Sequence, residues 1–362
     1  MPLPPFFRKF DWVLLAIVAA IVLLGAATFY GIGAKSSSFV TRQIIFLAIG
    51  IAVMIGVSFF DYRVLKNFSS ASVVIYLAAI ILLSLALASK EIRGVSSWII
   101  FKNMTFEPAE LAKLALLILL AKYFSQKHVE IYRAPHILAS GLYTLIPAAL
   151  TFFQPALGST IVFIVLWLAM LLLAGVRRKH LMIILMTGVM VCSLAWFFAL
   201  KPYQKDRIVS FINPYLDPRG SGYNTLQSRI TLGSGQLLGT VFGSEKKSSP
   251  ILVPEPYSDF AFSTFARKFG FVGVALLLAL LVAFMLRIGS IAARTENNFA
   301  KLFSLGFMVI VFTHIFINAG MNLGILPVTG IPFSFLSYGG SHLIALMLGL
   351  GIIQSIKLHS WA

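Results

Sequence analysis

Apolar runs long enough to cross a lipid bilayer recur along nearly the whole chain, and this leaves few folds open. A spanning helix needs about 20 mostly apolar residues, and about ten runs approach that length. They are Trp12–Tyr30, Val40–Phe60, Ala71–Ser89, Pro108–Phe124, Ile137–Phe153, Leu157–Val176, Leu181–Leu200, Phe260–Ile288, Ala300–Asn322 and Leu336–Ile356. In hydrocarbon the backbone has to pair its polar groups internally, so such runs form helices. With 59% of 362 residues hydrophobic, the chain lies outside the range of soluble domains. The expected fold is an all-α integral membrane protein, a single polytopic domain over residues 1–362 with one large loop at 201–259. The Gly-rich apolar piece Thr231–Phe242 is too short to span and is read as re-entrant or surface-lying.

The net charge of +17 belongs to the membrane rather than to nucleic acid, because many of the cations flank spans. Arg8, Lys9, Arg63, Lys66, Lys127, Arg133, Arg177, Arg178, Lys179, Arg287, Arg294 and Lys301 fall on one side. Lys35, Arg42, Lys90, Arg93 and Lys102 fall on the other. Short cytoplasmic loops carry the excess of Lys and Arg, so the first side is cytoplasmic. Both termini are then inside, and the 201–259 loop is outside. The run after Arg8-Lys9 is read as a retained span rather than a cleaved signal. The lone Cys192 has no second cysteine for an internal disulfide and reads as packing.

Against this background the polar residues stand out. Only 12 are acidic, and Asp259 lies where the long loop meets the run from Phe260. A carboxylate at a membrane edge is costly and marks a functional site, although Asp also favours helix N-caps. Glu110 and Lys113 are three apart and share a helix face. Such a pair is either a structural ion pair or a cation held for an anion, with Glu110 orienting Lys113. The outer loop mixes Arg207, Arg219, Arg229, Lys246 and Lys247 with apolar residues, which suits a lipid-linked anion. Pro and Gly break the helix between Asn318 and Pro332, and Ser337-Tyr338-Gly339-Gly340-Ser341 follows. Unwound backbone at membrane depth lines cavities or is buried in protein. His314 and His342 each read as a packing histidine, since neither has a second ligand nearby in sequence. There is no P-loop, dinucleotide fingerprint or strong metal motif. No internal repeat supports a transporter built from inverted halves.

A series of these segments, in order, resembles a known family. They are Trp98, Glu107-Pro-Ala-Glu110-Leu-Ala-Lys113, Gln154-Pro-Ala-Leu-Gly158-Ser-Thr160, Tyr203-Gln-Lys-Asp-Arg207, Asp217-Pro-Arg-Gly-Ser-Gly222, Gln227-Ser228, Gly233-Ser-Gly235, Pro254-Glu255, Asp259-Phe260 and Ser337-Tyr-Gly-Gly-Ser341. Together they resemble the SEDS family of bacterial cell-wall polymerases, from about Gly94 to Ile353. Gly324-Ile-Leu-Pro-Val-Thr-Gly-Ile-Pro332 is similar to its elongation (RodA-like) branch.

The resemblance implies a multi-pass protein of the bacterial cytoplasmic membrane that polymerises lipid II, a disaccharide-peptide on undecaprenyl pyrophosphate, into peptidoglycan. It implies Asp259 as general base, with Glu255, Tyr257 and Ser258 around it. Lys113, Arg207 and Arg219 are the candidate cations for the pyrophosphate. Glu110, Trp98, Gln227, Ser228, Ser337 and Tyr338 complete the candidate substrate-binding set. A divalent cation, Mg or Mn, is expected to assist, and a class B penicillin-binding protein to supply crosslinking through a helix packed on the bundle. Grooves between spans would hold the undecaprenyl tails. The chain departs from the family pattern at Ser97 (an Arg in the family), Ala156 (an Asp) and Arg267-Lys268 (a pair of Glu). Alternative readings are a flippase for the lipid-linked precursor and a degenerate member acting as a scaffold.

Overall fold

The computed structural model describes residues 9–32, 36–89, 96–101, 104–127, 134–198, 200, 202–218, 220, 222–242 and 253–360. The helices are α1 (Trp12–Phe29), α2 (Ser36–Phe59), α3 (Arg63–Asn67), α4 (Ser69–Leu87), α5 (Pro108–Lys127), α6 (Ala134–Phe153), α7 (Leu157–Leu173) and α8 (Arg178–Phe198). The loop that follows carries α9 (Pro202–Ile212), α10 (Tyr223–Gly233) and α11 (Gly239–Phe242). The last three are α12 (Ala261–Arg294), α13 (Asn298–Leu323) and α14 (Gly340–Ser360). Each of the ten apolar runs has its helix. Among the described residues, eight helices are long and apolar enough to cross a membrane. The other two long helices fall short for different reasons: α7 has 17 residues, and α5 carries Glu110, Lys113, Lys122 and Lys127.

α5 is the central helix. It starts at Pro108, whose missing N–H costs nothing in the first turn. It is buried on nearly every face and packs against α4, α6, α7, α13 and α14. One apolar cluster runs through α1, α2, α4 to α7 and α12 to α14. Two ends can be distinguished along α12, which begins beside Asp259 and passes Arg287 near its far end. At that far end Asp11 receives Arg287 Nε at 2.7 Å and Lys357 Nζ at 2.9 Å. Its backbone is paired in both directions with the Gln354 amide. Burial alone would raise the Asp11 carboxyl, but the hydrogen bonds from Arg287 and Lys357 hold it below its ordinary value.

The structure adds features that the apolar pattern does not show. Strands β1 (Ile99–Phe101) and β2 (Met104–Phe106) form an antiparallel hairpin that pairs Ile99 with Phe106. Trp98 and Glu107 flank that pair. α12 is kinked at Gly270, whose φ of +64° is left-handed. The piece after α10 docks into the kink, with Phe271 N donating to Gln236 O at 2.9 Å. A Cβ on Gly270 would meet Gly239 N at 2.3 Å, so only glycine permits this approach. α14 begins at Gly340 rather than Leu336, because residues 324–339 are unwound. α8 stands exposed, and an apolar cavity of about 1240 Å³ lies between it and α6 and α7.

Candidate active site

Asp259 sits between two loops that are laced together. The carbonyl of Asp259 accepts from Asn318 Nδ2 at 2.9 Å and from Asn322 Nδ2 at 3.0 Å. Asn318 also donates to Ile331 O at 2.7 Å. One residue earlier, Ser258 O accepts from Ser337 Oγ at 2.6 Å. One earlier again, Tyr257 O accepts from Tyr338 N at 2.8 Å. Three consecutive carbonyls are therefore pinned from α13 and the 324–339 segment. Asn318 and Asn322 can do this because they lie four apart, on one face of α13.

The Tyr257 ring stacks on Phe39 at 4.1 Å and its hydroxyl donates to Ile32 O. Burial pushes the phenol up, so it stays a donor. Tyr338 meets Phe39 edge-on at 5.0 Å. Asp259 itself is half-buried. The N-cap of α12 is Phe260, without a side-chain cap bond. A Cβ on Gly330 would lie 3.7 Å from Asp259 Oδ2, and Gly330 has a φ of +74°.

Several candidate binding residues turn out to hold the site rather than face it. Ser228 is fully buried, and its hydroxyl donates to Asn322 O at 2.9 Å, tying α10 to the end of α13. Ser337 is buried, with its hydroxyl shared between Ser258 O and the N–H of Phe333. Both hydroxyls are committed to backbone partners in buried positions. Gln227, Glu255, Tyr257, Ser258, Tyr338 and Trp98 are half-buried. Arg219 and the side chain of Arg207 lie outside the described residues.

The departures from the family pattern acquire physical settings. Lys268 donates from Nζ to Ala27 O at 2.7 Å, Thr28 O at 3.2 Å and Tyr30 O. It thus closes the C-terminus of α1, where a cation complements the helix dipole. Arg267 is buried. Ala156 stands at the N-cap of α7 without a side-chain bond, and Ser97 is buried beside Trp98.

Behind this region the structure assembles a polar cluster that sequence reading separated. Lys113 is fully buried and donates to Glu110 Oε1 at 2.7 Å. Lys113 Nζ also lies 3.1 Å from His314 Nε2. His342 Nδ1 lies 2.8 Å from Glu110 Oε2. The two imidazoles stack at 4.7 Å. The histidines, expected to be separate packing residues, are therefore partners in one cluster. The available sequence signal was the stripe His314, Asn318, Asn322, polar at every fourth position of an apolar helix. Nothing in the sequence pairs His342 with it.

Glu107, half-buried just before α5, borders this cluster. Burial pushes its carboxyl up to about 7, with the Glu110 and Asp259 charges adding to the shift. Lys113 and a hydrogen bond from Trp98 oppose it. These electrostatic couplings connect Asp259 to the Glu110–Lys113 pair.

The same residues include three potential metal ligands. Glu110, His314 and His342 bring ligand atoms within 4.8 Å of one another. Yet the Lys113 ammonium already occupies Glu110 Oε1 and His314 Nε2. A divalent ion placed there would sit against a buried positive charge, so these residues do not fit a metal centre.

Comparison with known proteins gives the following. A family model for FtsW, RodA and SpoVE, described as cell cycle protein, matches residues 7–361. The peptidoglycan glycosyltransferase MrdB of Escherichia coli K12 is 31% identical over 353 residues, covering 96% of this chain and 94% of the relative. A chain of a peptidoglycan synthase complex, solved to explain the structural coordination of polymerization and crosslinking, superposes with a TM-score of 0.82 at 30% identity. It covers 96% of this chain and 97% of that one. The crystal structure of the Thermus thermophilus rod shape determining protein RodA has a TM-score of 0.73 at 28% identity, covering 98% of both chains.

Proposed function

Because this chain belongs to the FtsW, RodA and SpoVE family and is a peptidoglycan glycosyltransferase of cell-wall synthesis, we propose that it polymerises lipid II with Asp259 as general base. Asp259 accepts the proton of the attacking acceptor hydroxyl. The oxygen forms a bond to the anomeric carbon of the donor. The bond from that carbon to the phosphate oxygen breaks, and undecaprenyl pyrophosphate leaves with the electron pair. The developing charge calls for preorganised cations, and Lys113 is assigned that part. Glu110 holds its ammonium. No residue is assigned to the divalent cation that the resemblance leads one to expect.

One observation carries this reading. Backbone around Asp259 is fixed by three side chains and one backbone N–H, and its half-buried carboxylate lies beside Gly330. A reactive group placed on so restrained a segment keeps its geometry without reorganising at the moment of reaction. The apolar cavity between α6, α7 and α8 offers a volume for the polyprenyl tail. The Asp259 end would face outward and the Asp11 end the cytoplasm, with both termini on the cytoplasmic side of the inner membrane. The likeness to a polymerising and crosslinking complex supports a class B penicillin-binding protein as partner. The Gly324–Pro332 segment favours a role in elongation.

The test is polymerisation of purified lipid II by the full chain with its partner, compared with Asp259→Ala and Asp259→Asn. Loss of polymer in both, with native elution preserved, is expected. Undiminished polymer from either would place the base elsewhere. Movement of fluorescent lipid II across liposomes without polymer would favour a carrier.

A further inference from the structure

The cluster behind Asp259 can be assigned proton by proton. Lys113 needs an acceptor at His314 Nε2, 3.1 Å away, so the proton of that ring sits on Nδ1, directed at Pro332 O at 3.4 Å. Glu110 accepts from Lys113 on Oε1 and from His342 Nδ1–H on Oε2. His342 Nε2 is buried and has no partner. Both rings are thereby set in one tautomer. The chain of contacts runs from Pro332 through His314, Lys113 and Glu110 to His342. It joins α13, α5 and α14 with the unwound segment that fixes Asp259 through Ile331 and Asn318.

We propose that His314 and His342 are positioning residues for the glycosyl transfer. His314 accepts one N–H of Lys113 and sets its direction. His342 donates to the far oxygen of Glu110 and keeps that carboxylate turned toward Lys113. Two of the three ammonium N–H bonds are then used inside the protein, so the buried charge is held in one place and acts on the leaving pyrophosphate through its field. This assignment rests on the reading above, in which the Lys113 charge stabilises the leaving pyrophosphate. Neither ring touches the substrate, so neither is a catalytic residue.

The two ring nitrogens allow a crossed test. A glutamine side chain reaches the Nε2 position, and an asparagine reaches the Nδ1 position. H314Q keeps an acceptor for Lys113, whereas H314N keeps only the contact to Pro332. H342N keeps a donor for Glu110, whereas H342Q leaves that oxygen unpaired. The four variants are purified as full chains with the partner and assayed for lipid II polymerisation, with elution profile and melting temperature recorded. H314Q is expected to exceed H314N in kcat by roughly tenfold or more, and H342N to exceed H342Q likewise, with KM for lipid II moved by less than about threefold. A purely structural role has no reason to follow this crossed order. Equal kcat within either pair of folded variants, or a change confined to KM, overturns the proposal. K113M and D259A are run alongside. If either of them polymerises at the native rate, the reading of the site fails. If both are dead while the histidine variants are not ordered as stated, only the positioning role fails.

Discussion

Glu107 shows how a single carboxyl registers the electrostatics of the site. Burial and the neighbouring Glu110 and Asp259 carboxylates hold it near 7, against about 4.5 in an unfolded chain. A raised carboxyl disfavours the ionised form in the folded state. Its contribution to stability is therefore full below about 4.5 and lost as pH rises through about 7. Glu107→Gln should flatten the fall in melting temperature across that window and exceed the native protein in stability at pH 8. An unchanged slope would mean that Glu107 is not the group responsible. Gly330 makes the second residue-scale case. Alanine there would hold a left-handed φ at a cost of about 1–2 kcal/mol and set a methyl 3.7 Å from Asp259 Oδ2. Gly330→Ala should therefore lower kcat well beyond its modest effect on melting, as read by lipid II polymerisation.

At the scale of elements, two ionic contacts decide how helices meet. Asp11 joins α1, α12 and α14 at the end far from Asp259. Removing one partner from a buried charge set leaves the others uncompensated. Asp11→Ala is expected to cost about 3 kcal/mol, read as a drop in unfolding midpoint in detergent. A loss within measurement error would show that the contact is not a lock. Lys268 joins α12 to the C-terminus of α1, with its ammonium on three carbonyls. Lys268→Ala should lose about 1 kcal/mol. Lys268→Glu, which restores the acid common in the family, should lose more, because a carboxylate opposes the same carbonyls. Equal stability of the two variants would remove the capping role. The reversed charge thus serves helix packing here.

For the whole molecule, the helices divide into a dense core around α5 and an exposed α8. The cavity between α8 and its neighbours is lined almost entirely by apolar side chains, among them Leu138, Leu145, Trp167 and Val189. Gly188 also lines it and has open space where a Cβ would go. Gly188→Trp should fill part of this volume and raise KM for lipid II. Analogues with short tails should be affected less, because the blocked volume is the one assigned to the tail. Identical behaviour of long- and short-tailed substrates would place the tail elsewhere. Arg287 and Lys357 lie at the Asp11 end, and Arg63 joins them there through its bond to His359 O.

The apolar runs fix the number and approximate bounds of the long helices, because burying backbone in hydrocarbon leaves helix as the solution for each run separately. The Glu110–Lys113 ion pair was likewise legible, since the two residues lie within a single helical turn. What Ser228, Ser337, Lys268 and the two histidines do was not legible. Each role depends on a partner 94, 79, 241 or more than 200 residues away. Periodicity reports only neighbours on one helix, whereas a carbonyl, a carboxylate or an ammonium can be offered by any helix that packs alongside. Tertiary packing alone chose which buried polar groups meet, and with that choice turned two histidines that read as packing into parts of one hydrogen-bonded chain.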